Sequence, residues 1–201
     1  MKKKLDKAIL RKENLVFEPL SKNRWKDFEL LLGERGACGG CWCMSWRLNR
    51  AQFEKQKGKA NKDAMNRLVN TGELPGILAY YDNKPAAWCS VAPREKFVRL
   101  DKSKVLKKID DNPVWSVSCI FIAKEFRRQG LSTVLLKAVI KFCKSQGAKI
   151  IEAYPQEPYS RDIPAAFVWT GIPSSFKKAG FKVVARRSKT RPIMRYYLEF
   201  N

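Results

Sequence analysis

A chain of 201 residues is long enough to bury one substantial core and too short for two comfortable domains without a visible linker. Its 45% hydrophobic and 30% charged residues exclude the disordered and fibrous classes, and 41 Lys and Arg against 19 Asp and Glu set up a positive surface field that draws phosphates, nucleic acid or anionic metabolites. The lack of any histidine excludes Ser-His and Cys-His nucleophilic arrangements and removes the commonest general base.

Residues 1–7 are basic like the start of a secretory leader, but Arg11, Lys12, Glu13 and Asn14 cut the apolar run that should follow. With no stretch of about 18 apolar residues to span a bilayer, the chain is expected to be cytoplasmic and without a membrane partner. No repeat, low-complexity tract or Gly/Ser linker divides it, so one domain is expected over residues 1–201, its core at about 15–200 behind a basic segment 1–14.

Residues 16–18 read as a short strand. Ser21 is placed to cap a helix carrying Trp25, Phe28, Leu31 and Leu32, ended by Gly33 and Gly36. Residues 50–70 read as one basic helix closed by Thr71-Gly72. Residues 76–81 and 86–92 are strand-like, and Asp82-Asn83-Lys84-Pro85 between them is turn chemistry, which predicts an antiparallel hairpin. Residues 114–122 are rich in β-branched and aromatic side chains and predict a further strand. Beyond them Leu131, Val134, Leu135, Ala138, Val139, Phe142 and Cys143 make an i, i+3, i+4, i+7 stripe. Gly147 stops that helix and a strand follows over 149–154. Strand, helix, strand in so few residues makes a parallel pair with a right-handed crossover. Together with the hairpin this predicts an α/β (α+β) fold with a mixed, mostly antiparallel central sheet flanked by helices.

Between the strand and the striped helix lie Arg127-Arg128-Gln129-Gly130-Leu131-Ser132. This turn aims successive backbone N–H groups outward at a helix N-terminus. The orphan amides and the helix dipole favour an anion, glycine allows close approach, and the arginines add charge-assisted contacts. The stretch from Phe121 to Ser132 resembles the signature of the GNAT acetyltransferase superfamily, which runs Val, a few residues, then Arg or Gln, two residues, Gly, one residue, Gly or Ala. Ile122 stands for the Val, Arg127 opens the loop, Gly130 holds the first glycine place, and Ser132 departs from the last. A second match, Ser175-Phe176-Lys177-Lys178-Ala179-Gly180-Phe181, resembles the family's late helix and the Gly-Phe that leads into its next strand.

The resemblance implies a CoA-dependent N-acyltransferase with acetyl-CoA as co-substrate and an amine as acceptor. The pantetheine arm would lie along Ile120, Phe121 and Ile122, and the pyrophosphate on the amides of Arg128, Gln129, Gly130, Leu131 and Ser132 beside Arg127. Many family members carry a Tyr that protonates the leaving thiolate where this chain has Phe176. Phe176 is then expected only to border the cofactor, and Tyr154 or Tyr159 becomes the candidate donor. Strand alternation puts Glu152 on one face with Ile150 and Tyr154, which makes it a candidate base or a solvated strand-end carboxylate.

The cluster Cys38-Gly39-Gly40-Cys41-Trp42-Cys43, followed by Trp46, admits three readings: zinc, for which there is no histidine or second pair of ligands; buried thiols and tryptophans; or a wall of the acceptor pocket. Trp42 and Trp46 would line that pocket, with the stretch from Pro155 to Pro173, carrying Tyr159, Arg161 and Trp169, as a second wall. No metal is expected. Two competing functions stand beside the enzyme: a basic nucleic-acid or ribosome-associated module, motivated by eight basic and no acidic residues over 163–198, and a non-catalytic CoA-binding regulator, motivated by Phe176.

Overall fold

The computed structural model describes residues 10–160 and 163–199; most of the basic N-terminal segment and Arg161 lie outside the described residues. In chain order the elements are β1 (Leu15–Pro19), α1 (Trp25–Leu32), α2 (Arg50–Gln56), α3 (Lys59–Asn70), β2 (Gly76–Tyr81), β3 (Lys84–Pro93), α4 (Val98–Asp101), β4 (Trp115–Ile122), α5 (Leu131–Ser145), β5 (Ile150–Ala153), α6 (Pro173–Lys178), β6 (Lys182–Arg186) and β7 (Pro192–Tyr197). The strands form one sheet in the order β1-β2-β3-β4-β5-β7-β6. Every neighbouring pair is antiparallel except β4 and β5, which are parallel and joined through α5. The mixed, mostly antiparallel sheet flanked by helices is therefore as the alternation of patterns predicts.

The hairpin between β2 and β3 closes through Asp82 and Asn83, both at positive φ (48° and 62°), the geometry of a two-residue turn whose twist matches the strands. The stripe of α5 buries Leu131, Leu135, Leu136, Val139, Phe142 and Cys143 against Ile77, Ala79, Ala87, Cys89 and Val91 on one face of the sheet. On the other face Phe28, Leu31 and Leu32 of α1 pack with Trp42, Met65, Leu78 and Trp88. With apolar cover on both faces, the middle strands have no need to alternate, and β3 is buried over most of its length.

The pair β4/β5 decides where an opening forms. The two strands share only three residue pairs, Trp115 with Ile151, Ser116 with Glu152 and Val117 with Ala153, although β4 continues to Ile122. Across the sheet Cys119 opposes Ser90 and Val117 opposes Val91, so Ser118 is an extra residue on β4. Such a bulge bends its strand and raises the local twist, and it sits at the point where β4 leaves β5. The Ser118 hydroxyl donates to Ser90 Oγ at 3.0 Å, which anchors the bulge. On the other side β5 ends and runs into Tyr154 and Pro155, and proline has no N–H to continue a ladder.

Two local expectations need correction. Residues 50–70 are not one helix: Gly58, at φ 84°, separates α2 from α3, because residues 36–40 press on the junction. Gly58 N–H donates to the Gly40 carbonyl at 3.0 Å, and Asn61 Nδ2 donates to the same oxygen at 3.1 Å. Ser21 precedes a single tight turn, Lys22–Arg24, and its side chain makes no capping bond.

The wide turn over 36–40 that results from this contact tests the packing. A Cβ on Gly40 would stand 2.3 Å from the Gly58 nitrogen, whereas one on Gly39 would meet nothing within 4 Å; both residues have positive φ. Gly39→Ala is expected to cost about 1 kcal/mol from backbone conformation alone, and Gly40→Ala about 2–4 kcal/mol once the overlap is added. Urea unfolding midpoints of the two variants check this.

Candidate active site

The gap left by β4 and β5 opens into a groove of about 1280 Å³. This exceeds the few hundred to about 1,000 Å³ of an ordinary small-ligand pocket and leaves room for a cofactor arm and a second reactant. Cys119, Ile120, Phe121 and Ile122 of β4 form its floor, and Arg127, Arg128 and Ser132 close one end. One wall comes from the turn at 37–45 with Phe53 and Lys57, the other from Tyr159, Val168, Trp169, Ile172 and their neighbours.

Ala123 N–H bonds back to Ala86 of β3, so alternation directs the amides of Ile120 and Ile122 away from β3 and into the gap. The Ile120 amide is taken by the Trp169 carbonyl at 2.7 Å, which ties the far wall to the floor. At the end of β4, Arg127 Nε donates to the Ile122 carbonyl at 2.8 Å. Arg128 (φ 60°) and Gly130 (φ 80°) are both left-handed, and this turns the amides preceding α5 toward the groove. The first amides of a helix lack intrahelical acceptors. A Cβ on Gly130 would meet nothing within 4 Å, so the space before these amides is open. Ser132, the departure from the signature, bonds Ser175 Oγ of α6 at 3.0 Å and so links α5 to α6.

Lys57, Arg127 and Arg128 give the groove a positive lining, and no carboxylate lines it among the described residues. Among those residues no three Cys, Asp or Glu converge as metal ligands, and no helix is long and apolar enough to cross a membrane.

Several residues singled out from the sequence lie elsewhere. Glu152 and Tyr154 do share a face, with the phenol donating to Glu152 Oε1 at 2.6 Å, but Glu152 is only 1% exposed and lies outside the groove. Arg94 Nη1 reaches Glu152 Oε1 at 3.1 Å and the Tyr154 oxygen at 2.6 Å, while Arg195 Nε holds Glu152 Oε2 at 2.7 Å. A carboxylate clamped between two guanidiniums, with no path to the groove, is structural and not a base. Burial and then the Glu152 charge push the Tyr154 phenol well up, and its oxygen is enclosed by Glu152, Arg94 and Ser116, so it has no access to a leaving group. Phe176 is fully buried, edge-on to Phe181 at 5.2 Å, and is not among the residues that line the groove. Leu131 is 1% exposed and offers the groove only its amide, while Gln129 folds back onto the Glu125 carbonyl at 2.7 Å.

Of the three tryptophans expected at the acceptor pocket, Trp169 alone lines the groove. Trp46 lies behind it, ring centroids 5.9 Å apart. Trp42 is core, 2% exposed, between Trp25 and Phe28. Tyr159, 73% exposed, does line the groove. The sequence reading missed Cys119, whose only signal was proximity to the first matched segment; Ile172 falls within the stretch 155–173 read as a second wall, and Ser175 opens the second matched segment but was given no role.

A family model described as "Acetyltransferase (GNAT) family" matches residues 42–164, more than half of the chain, and it spans the bulged strand and the loop before α5. The chain belongs to the GNAT acetyltransferase family. It is accordingly an acyl-CoA-dependent N-acetyltransferase in general class. No curated protein matches its sequence. Among solved structures of the GNAT fold it is similar to the PaiA N-acetyltransferase of Thermoplasma acidophilum in complex with coenzyme A (15% identity, 92% of this chain and 99% of that one, TM-score 0.52). It is also similar to a GNAT-family acetyltransferase of Streptococcus agalactiae (15%, 95% and 99%, 0.55) and to the Drosophila melanogaster polyamine N-acetyltransferase (10%, 92% and 100%, 0.55). At such identities the likeness is one of fold.

Two measurements test the assignment of Glu152 and Tyr154 to the structural frame. Glu152→Gln is expected to lower unfolding free energy by about 3 kcal/mol, because two buried guanidiniums lose a charged partner; a shift of the urea midpoint reads it. Burial first, and then the nearby carboxylates Asp27 and Glu152, raise the phenols of Tyr80 and Tyr154. The folded state therefore holds these protons more tightly. Its advantage is complete below about pH 10, the ordinary tyrosine value, and is lost as pH rises above it. Ultraviolet titration should find two of the six tyrosines ionising only as the chain unfolds in alkali.

Proposed function

We propose that this GNAT-family chain transfers acetyl from acetyl-CoA to a primary amine by direct attack, without a covalent enzyme intermediate. The observation that carries the reading is that an unpaired stretch of strand and an anion-binding turn face one groove. In this reading residues 15–200 act as one acyltransferase domain. The pantetheine arm runs along residues 120–122. The pyrophosphate lies on the amides of residues 128–132, with Arg127 and Arg128 supplying charge.

The acyl carbonyl accepts a hydrogen bond from the Ile122 amide, which strengthens as the oxygen gains charge. The amine enters between the turn at 37–45 and the wall at Tyr159 and Trp169, and its alignment there supplies much of the acceleration. Tyr159 is the donor to the leaving thiolate, because among Glu152, Tyr154 and Tyr159 it alone lines the groove. Lys57, Arg127 and Arg128 on the lining attract the negatively charged cofactor into the groove.

Calorimetric titration with acetyl-CoA beside ATP, at moderate salt, tests the cofactor. Saturable binding of acetyl-CoA is expected, weakened at least about 100-fold in Gly130→Trp, whose side chain would fill the open space before the α5 amides. Equal binding of both nucleotides, or unchanged binding in the variant, would reduce the turn to a basic patch. With an amine panel, Tyr159→Phe is expected to lower kcat about 10-fold or more with little change in KM.

A further inference from the structure

Four of the chain's six cysteines, Cys38, Cys41, Cys43 and Cys119, line the groove as free thiols, a density of sulfur that acyl transfer by direct attack does not use. Two of them are neighbours: Cys43 Sγ and Cys119 Sγ are 3.7 Å apart, although 76 residues separate them in the chain. Trp88 Nε1 donates to Cys43 Sγ at 3.1 Å. Arg47, buried with its guanidinium 4.7 Å from the Phe97 ring centre, adds its positive field. The sulfur–sulfur contact with Cys119, then the indole N–H and the Arg47 charge, hold the Cys43 thiol below its usual range against the opposing effect of burial.

The sulfur–sulfur contact with Cys43 and burial push Cys119 well up, so the pair joins one activated sulfur to one protonated sulfur. Nucleophilic attack belongs to the thiolate. Burial, and then the charge of Cys43, push Cys41 up to about 12, which keeps that neighbour a thiol. Cys43 and the preceding Trp42 stand at φ 57° and 46°, unfavourable for side chains of their size. A small movement of this segment would relieve that strain.

We propose that Cys43 and Cys119 are a peroxide-responsive modification site whose reversible disulfide narrows the groove beside the acyl position. The Cys43 thiolate attacks one oxygen of a hydroperoxide. The O–O bond breaks, one oxygen stays on sulfur as a sulfenic acid, and the other leaves as water or an alcohol after protonation. The Cys119 sulfur then attacks the Cys43 sulfur, the S–O bond breaks, the Cys119 proton passes to the departing hydroxide and water is released. Two thiols are oxidised to one disulfide, and the peroxide is the species reduced. Closing the sulfurs from 3.7 Å to a bond of about 2.05 Å draws the turn at 37–45 toward β4, one residue before Ile120. The effect on acyl-CoA rests on the binding mode proposed above; the disulfide does not.

The reduced full-length protein is treated with hydrogen peroxide, free thiols are blocked, and peptides are mapped by mass spectrometry without reduction. The expected product is a linked Cys43–Cys119 peptide pair that dithiothreitol reverses. Cys119→Ala should leave Cys43 carrying added oxygen and no link, and Cys41→Ala should link as the parent does. A link through Cys38 or Cys41 instead, or Cys43 and Cys119 still open to alkylation after unfolding, overturns the proposal. Acetyl-CoA is then titrated into both forms, and the oxidised form should bind at least about 10-fold more weakly. Equal affinities overturn the narrowing of the groove. If neither form binds, the cofactor reading fails together with the narrowing, while the mapped link still decides the modification site.

Discussion

Strands β4 and β5 share three residue pairs and then part, and the rest of the site depends on that parting. A parallel pair that stayed in register would close the sheet and consume the amides of Ile120 and Ile122 in ladder bonds. The extra residue at Ser118 turns β4 away, and the chain beyond β5 leaves through Tyr154 and Pro155. Backbone groups that a sheet would ordinarily satisfy then face an open volume. Buried amides without partners are costly, so the gap is a natural place for a ligand that brings its own acceptors. The Trp169 carbonyl already takes one of these positions, at Ile120.

The charges around the gap divide the work. On one side of the sheet Arg94, Glu152, Arg195 and Tyr154 form a closed buried network, with Asp101 and Asp110 completing it at the surface. It ties the end of β3 to β5 and β7, and Ser116 of β4 joins it through the Tyr154 hydroxyl. A buried pair of this kind adds little stability compared with apolar packing, but it is expensive to break. Arg127 and Arg128, by contrast, line the groove, and their field falls on whatever anion occupies the turn. The same residue types thus act as frame in one place and as binding groups in the other, and burial is what separates them.

The segment 36–46 combines packing and reactivity. Its glycines let Trp42 and Gly58 approach closely, the tryptophan completes the core on the α1 face, and the thiols that alternate with it turn to the groove. In the sequence its readings were alternatives; in the structure one turn places Trp42 in the core and Cys38, Cys41 and Cys43 on the groove.

The amino-acid sequence by itself determined β1 to β5 in order, the hairpin, the parallel crossover through α5 and the turn with Gly130, because each rests on local periodicity or on turn chemistry within a few residues; the break between α2 and α3, the short α4 and the strand β7 were not legible there. It also carried the family, since the loop motif is contiguous. Only the tertiary structure decided which of those residues meet. Strand alternation placed Glu152 and Tyr154 on one face but could not show that Arg94, 58 residues away, and Arg195, 43 residues away, close over them. Aromatic character alone could not separate core Trp42 from groove-lining Trp169. Nor could composition foresee that Cys119, one strand residue among many, comes to lie beside Cys43. Side-chain burial and long-range pairing are properties of the packed layers, and no window of sequence contains them.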